Sequence, residues 1–295
     1  MDEPVKKGQL EIGIPRSTER DRNYHLGGRS FYFFDFDDNI AFLTTPLVLF
    51  HRENGTELVI STGEFGQAHG HIGKAGIYKD YEVRIDDRNG TFRNFRDHEA
   101  DILSKFGTRR QFFIEDVAAI LNLPDLNWKG PSWECFYHAT FNQRPVSLIT
   151  ARGHHPETLK AGVREFVAKK WLPMEPNYLS VFPVSHNQTR EELGDSQLNM
   201  TIAELKQRAI RASVEQAVQS YGHNPHHRFG MSDDDPRNIE LIVEEMTRLK
   251  SRFPDMSFFM IETHNGNFIK HEVTLNGLRS DFADSQSQLS LFENK

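Results

Sequence analysis

The sequence predicts an α/β fold with a parallel sheet covered on both faces, and three observations carry that prediction. From residue 145 onward, short apolar runs alternate with amphipathic segments of helical period, the pattern of a sheet whose strands are joined by crossover helices. An aromatic run, FYFF at residues 31–34, reads as a further buried strand and leads straight into aspartates. Between these regions lie two turn signals flanked by β-formers, so the sheet is interrupted by something β-containing. At 295 residues, with 26% charged and 37% hydrophobic residues, the chain can bury such a core with room for an insertion. The net charge of -7 gives no general attraction to nucleic acid. A single cysteine, Cys135, excludes an internal disulfide and a cysteine-built zinc site, and fits a reducing compartment. The first residues carry no basic-then-apolar signal and no apolar run reaches membrane-spanning length, so a cytoplasmic protein without membrane contact is expected.

Taken in order, residues 1–29 are polar and irregular and read as a loosely packed extension. After the aspartates, PLVLFHRENGTELVIST reads as a hairpin turning at Asn54-Gly55, and YEVRIDDRNGTFRNF as a second turning at Asn89-Gly90. The glycines between them (Gly63, Gly66, Gly70, Gly73, Gly76) read as a flexible loop, since the spacing of a phosphate-binding loop is not met. FIEDVAAILNL and WECFYHATFN are short helices, the second with Ser132 in the capping place, followed by a strand over Pro145–Thr150. Pro156 and Glu157 open a helix with Leu159, Val163, Phe166 and Val167 on one face. YLSVFPV is a strand. Thr201 and Glu204 form a capping box ahead of a long helix, HRFGMS is a strand, Asp235-Pro236 starts another helix, and SFFMIET is a last strand. The final residues, 276–295, are polar and serine-rich and read as a disordered tail.

The chemistry concentrates at Asp35 and Asp37. Asp is disfavoured inside strands, so both belong at the strand end, where open α/β sheets bind ligands. Two acids on one rim suit a divalent cation, or a nucleophile beside a proton donor. A lone Asp-x-Asp is more often a solvated turn, but three further strand or helix ends carry polar groups in order. Residues 146–150, VSLIT, end in Thr150, followed by Ala151 and Arg152; Lys206 lies in the first turns of its helix; FGMSDDD brings Asp233 and Asp234 to a strand end.

In this order these segments resemble the four motifs of the haloacid dehalogenase-like hydrolase superfamily, phosphatase type, over about residues 30–50 and 131–275. The resemblance implies a Rossmann-like core in which Asp35 is the nucleophile that forms an aspartyl-phosphate and Asp37 the general acid and base. Mg²⁺ would be held by the Asp35 carboxylate, the Asp37 carbonyl and Asp233, with or without Asp234. Thr150 and Lys206 would bind and neutralise the phosphoryl group. By position, Ala151 and Arg152 would border the substrate, with a surface ion pair an equal reading of Arg152. An acid at Asp37 favours phosphoryl transfer over carbon–halogen cleavage. Several positions depart from the pattern. Asn39 stands where Thr or Val is usual, Ser232 replaces a Gly, and Arg237 occupies a place often held by a second acid, which leaves Asp234 as the partner of Asp233. Lys169 and Lys170 are alternatives to Lys206 but lie far along the preceding helix.

Residues 51–130 exceed what a capless core needs and read as a β-containing cap or flap, the usual seat of substrate choice in that superfamily. The histidines His69, His71, His223, His226 and His227 read as surface groups; His154 and His155 follow Thr150 closely enough to border the site. In the tail, Gln288, Leu289, Leu291 and Phe292 belong to a QLSLF segment that resembles the pentapeptide docking bacterial proteins on the DNA sliding clamp. The expected activity is Mg²⁺-dependent hydrolysis of a phosphate monoester: a small ester, a nucleotide or a nucleic-acid end. The rivals are a phosphotransferase with a non-water acceptor and a non-catalytic adaptor that binds the clamp through its tail.

Overall fold

A computed structural model describes residues 17–86, 88–98, 110–123, 127–233, 235–264 and 267–280. Its main sheet has seven strands: β1 (Ser30–Phe34), β5 (Pro145–Thr150), β6 (Asn177–Pro183), β7 (Arg228–Asp233), β8 (Ser257–His264), β9 (Asn267–Thr274) and β10 (Gly277–Ser280). The order is β10-β9-β8-β7-β1-β5-β6, with β6, β5, β1, β7 and β8 parallel and β9 and β10 antiparallel at one edge. A separate antiparallel sheet, β3-β2-β4, is formed by β2 (Leu47–His51), β3 (Glu57–Ile60) and β4 (Tyr81–Glu82). Seven helices are described: α1 (Thr62–Ala68), α2 (Phe112–Ile120), α3 (Trp133–Phe141), α4 (Pro156–Ala168), α5 (Asn187–Glu192), α6 (Ile202–Tyr221) and α7 (Pro236–Arg252). No described helix is long and apolar enough to cross a membrane.

The aromatic run explains why β1 is central. Side chains alternate across a strand, so Phe31 and Phe33 enter the core under α6 and α7, while Phe34 enters the core under α2, α3 and α4. Only a strand sandwiched on both faces can afford aromatic residues on both. The paired registers Phe34↔Leu148 and Phe34↔Ser232 set the end of β1 between β5 and β7, which run on to Thr150 and Asp233.

Several local expectations hold. The hairpin at Asn54-Gly55 joins β2 to β3, Gly55 taking the left-handed φ of 69° that the turn needs. Thr201 and Glu204 close a capping box on α6, and Pro156 opens α4 behind an N-cap at His155. Ser132 holds the N-cap place of α3 but makes no side-chain cap bond.

Four expectations change. The Asn89-Gly90 turn closes, with Gly90 N–H donating to Asp86 O at 3.0 Å, but its second limb winds into a 3₁₀ turn, Arg93–Phe95, while β4 pairs with β2 instead. Gly63 and Gly66 lie inside α1, because Ser61 and Glu64 form a capping box strong enough to start a helix there. The segment 17–29 is tied down: Asp21 accepts from Ser30 N–H and pairs with Arg144 at 2.8 Å, both nearly buried. Residues 277–280, read as tail, form β10, turned back by Thr274, whose hydroxyl donates to Gly277 O at 2.7 Å.

Candidate functional site

The site lies where β1, β5 and β7 end. Asp35 directly follows β1, and its N–H donates to Ser232 O at 3.1 Å, which locks the end of β1 to that of β7. Its Oδ1 accepts from Phe36 N–H at 2.8 Å, so the carboxylate folds back over its own turn. Lys206, on the second turn of α6, points its ammonium between two acids: Nζ lies 3.0 Å from Asp35 Oδ2 and 2.6 Å from Asp233 Oδ2. All three are buried, Asp233 and Lys206 almost completely. The other oxygen of Asp233 accepts from Asp235 N–H at 3.0 Å and from Asn238 Nδ2 at 3.1 Å.

Burial pushes the Asp35 carboxyl up to about 7, with the charges of Asp233 and Asp37 adding to the rise and the Lys206 ammonium opposing it. For Lys206, burial works against the charge, but Asp233 and Asp35 outweigh it and hold the pKa above the usual lysine value. The lysine is therefore a fixed cation shared by two carboxylates.

Asn39 and Ser232 answer each other. Asn39, fully buried, donates through Nδ2 to Ser232 O at 2.9 Å and Ser232 Oγ at 2.8 Å, and its Oδ1 accepts from Thr263 Oγ1. A side chain from the loop after β1 thus crosses to β7 and β8 under the acids.

Asp37 is engaged elsewhere. Both of its carboxylate oxygens accept from Arg152, at 2.7 and 2.8 Å, and Arg152 is completely buried. Thr150 sits at the end of β5, buried, two residues past the last β1–β5 pair, and its Oγ1 accepts from Arg152 N–H at 3.4 Å. Ala151 is exposed. Asp38 takes a left-handed φ of 55°, and burial pushes its carboxyl up to about 6, with the Asp37 charge adding and a hydrogen bond from Thr62 opposing. Asp234 and the QLSLF residues Gln288, Leu289, Leu291 and Phe292 lie outside the described residues.

The sequence therefore names residues that fall into two clusters: Asp35, Lys206 and Asp233 in one, Asp37 and Arg152 in the other, with Thr150 between their strands. It does not name Asn39 as a brace, nor Thr45, Asp116, Phe95 and Phe113, which surround Arg152; a lone Asp in the apolar helix FFIEDVAAI was the one visible hint. His154, read with His155 as bordering the site, is fully buried, and burial followed by the Arg152 charge holds its pKa well below the usual value, so the ring is neutral. His227, read as a surface group, is buried against Arg29 N–H and Gly222 O.

The carboxylates of Asp35 and Asp233 offer oxygen atoms, the donor type a hard cation such as Mg²⁺ takes, with the Lys206 ammonium lying between them. Among the described residues, no group of three or more His, Cys, Asp or Glu side chains converges as ligands. No family model, curated protein or solved structure matches the chain.

Proposed function

We propose that this chain is a Mg²⁺-dependent phosphohydrolase of the haloacid dehalogenase-like type, with residues 30–50 and 131–275 as catalytic core and 51–130 as a cap insertion. The observation that carries the proposal is the Lys206 ammonium shared by the buried carboxylates of Asp35 and Asp233 at adjoining strand ends. A purely structural core has little reason to bury two acids and a lysine, since desolvating them costs several kcal/mol per ion.

In this reading an Asp35 oxygen attacks phosphorus, forming an acyl-phosphate bond as the bond to the leaving oxygen breaks. Asp37 gives the leaving oxygen its proton, then takes one from the water that attacks phosphorus, releasing inorganic phosphate and restoring both carboxyls. Lys206 fixes Asp35 and would offset charge on the phosphoryl oxygens, and the Thr150 hydroxyl would donate to one of them. Mg²⁺, bound by Asp35, Asp233 and the Asp37 carbonyl, would offset the repulsion between an anionic nucleophile and an anionic phosphate. The substrate is a phosphate monoester: a small ester, a nucleotide or a nucleic-acid end.

The test is phosphate release from an aryl phosphate and a nucleotide panel, with and without Mg²⁺, for wild type and Asp35→Asn. Metal-dependent release that disappears in Asp35→Asn is the expected result. Release that survives the substitution would overturn the nucleophile assignment.

A further inference from the structure

Arg152 presents its charge to one carboxylate and is held through Nε, Nη2 and two aromatic rings, while Nη1 is buried and has no hydrogen-bond partner among the described residues. Nε donates to Asp37 Oδ2 at 2.8 Å and Nη2 to Asp37 Oδ1 at 2.7 Å. Nη2 also donates to Thr45 Oγ1 at 2.6 Å, and Thr45 donates onward to Asp116. The guanidinium carbon lies 4.7 Å from the Phe95 ring centre and 4.8 Å from that of Phe113. Phe95 belongs to the insertion, and its carbonyl accepts from Gly153 N–H at 2.9 Å, fixing the insertion to the residue after Arg152. The guanidinium has no solvent exposure, whereas the Asp37 side chain retains 19%.

A planar guanidinium offers two parallel N–H groups at fixed spacing, so a fork onto one carboxylate sets both side-chain torsions of the aspartate. Asp37 stands in a loop whose next residue, Asp38, has left-handed backbone, and among the described residues Arg152 is the side chain that hydrogen-bonds its carboxylate. A substrate-phosphate role would need the guanidinium turned toward the ligand; here it is turned toward Asp37.

We propose that Arg152 is the positioning residue for Asp37: gripped by Phe95 and Phe113, it sets the direction in which the Asp37 carboxyl meets the leaving oxygen. The inference rests on the phosphohydrolase reading and gives the insertion a part in the chemistry, since its Phe95 packs on the guanidinium that holds the acid.

The experiment is a double-mutant cycle of Arg152→Lys and Asp37→Asn, with an alkyl phosphate and with an aryl phosphate whose leaving group departs without a proton. It is read as release of the leaving group in a single turnover, before water attacks the aspartyl-phosphate, and in steady state; the comparison of the two substrates is made on the single turnover. A lysine keeps the charge but cannot fork. Arg152→Lys is expected to lower kcat on the alkyl phosphate by about 10–100-fold, the scale on which misplacing a catalytic group acts, with KM nearly unchanged. The loss should be smaller on the aryl phosphate, and no further loss should follow when Asp37 is already Asn. A rise in KM that accounts for the loss, or losses that multiply in the double variant, would overturn the positioning role. Thr45→Val removes one support of the guanidinium, together with the hydrogen bond that Thr45 gives Asp116, and should give a weaker defect with the same leaving-group dependence; an equal defect on both substrates counts against the proposal. The contact itself is read without activity from the Arg152 Nε–H resonance by NMR. It should move in Asp37→Asn; an unmoved resonance overturns the fork, whereas wild-type protein that releases no phosphate overturns only the phosphohydrolase reading.

Discussion

Lys206 is one ammonium answering two buried carboxylates, and that ratio makes the site sensitive to its loss. Lys206→Met keeps the length and apolar stem but leaves Asp35 and Asp233 unpaired and close together. Breaking a buried pair in this way costs about 3–5 kcal/mol, so urea denaturation should show a loss of that order; a loss below about 1 kcal/mol would mean that the lysine does not sit between the acids. The raised pKa of Asp35 makes a second, signed prediction. With an unfolded value of about 4 and a folded value of about 7, the folded protein holds a proton that the unfolded chain has released between those pH values. Stability from Asp35 therefore falls as pH rises from about 4 to 7 and levels off above, at no more than about 1.4 kcal/mol per pH unit. Buried His154 works in the opposite sense, because its lowered pKa lets the unfolded chain take up a proton first as pH falls through the ordinary histidine range. The difference between wild type and Asp35→Asn, measured with a chelator present, isolates the aspartate. It should turn against wild type as pH rises through that window, and a flat difference would refute the raised value.

At the scale of elements, the contact between α2 and α4 links packing to the site. Gly162 lies on the buried face of α4, and a Cβ there would stand 2.3 Å from the Phe113 ring, which is itself fully buried and lies against Arg152. Gly→Ala in a helix ordinarily favours folding, but here the ring must shift. Gly162→Ala is expected to cost about 1–3 kcal/mol by overpacking and also to lower turnover, through Phe113 and Arg152; a thermal melt and a phosphate-release assay check both, and an unchanged pair of values would show that the ring has room. Much at this scale was legible. Periodicity and caps marked the strand Pro145–Thr150 and the helix opened by Thr201, because a fully buried strand and a capping box are local signals. The misreadings came from tertiary context. The chain at 84–95 carries hairpin residues, but β2 already pairs on that side with Tyr81 and Glu82. β10 is polar because its side chains are exposed, so composition alone resembles a tail. At the site, residues at strand ends were legible, whereas Arg152 met Asp37 only through loops and ring contacts that no spacing rule encodes.

Over the whole molecule, two large cores lie on opposite faces of one sheet and share β1, while the three-stranded sheet has a third, small core of Leu47, Leu49 and Ile60. Elements that share a central strand open together, but a satellite with so few buried apolar side chains of its own, against about twenty in each large core, has little to hold it. Exposed Val59, Ile77 and Ile85 in the same region add no burial. What fastens it to the main body is polar and aromatic: Phe95 against Arg152, Asp97 accepting from His155 N–H and Thr158 Oγ1, and Arg96 donating to Ser185 O. Hydrogen exchange should therefore divide the amides in two classes. Those of β1, β5 and β7 should exchange only through global unfolding, and those of β3 through an opening several kcal/mol cheaper. Arg152→Lys loosens one of the fastenings, so it should speed exchange at the described residues 92–98 while leaving β7 unchanged. Equal protection in β3 and β7 would show instead that insertion and sheet unfold as one unit. In that case the grip on Arg152 would be a permanent feature of the fold, and the insertion would have no independent motion with which to release Asp37.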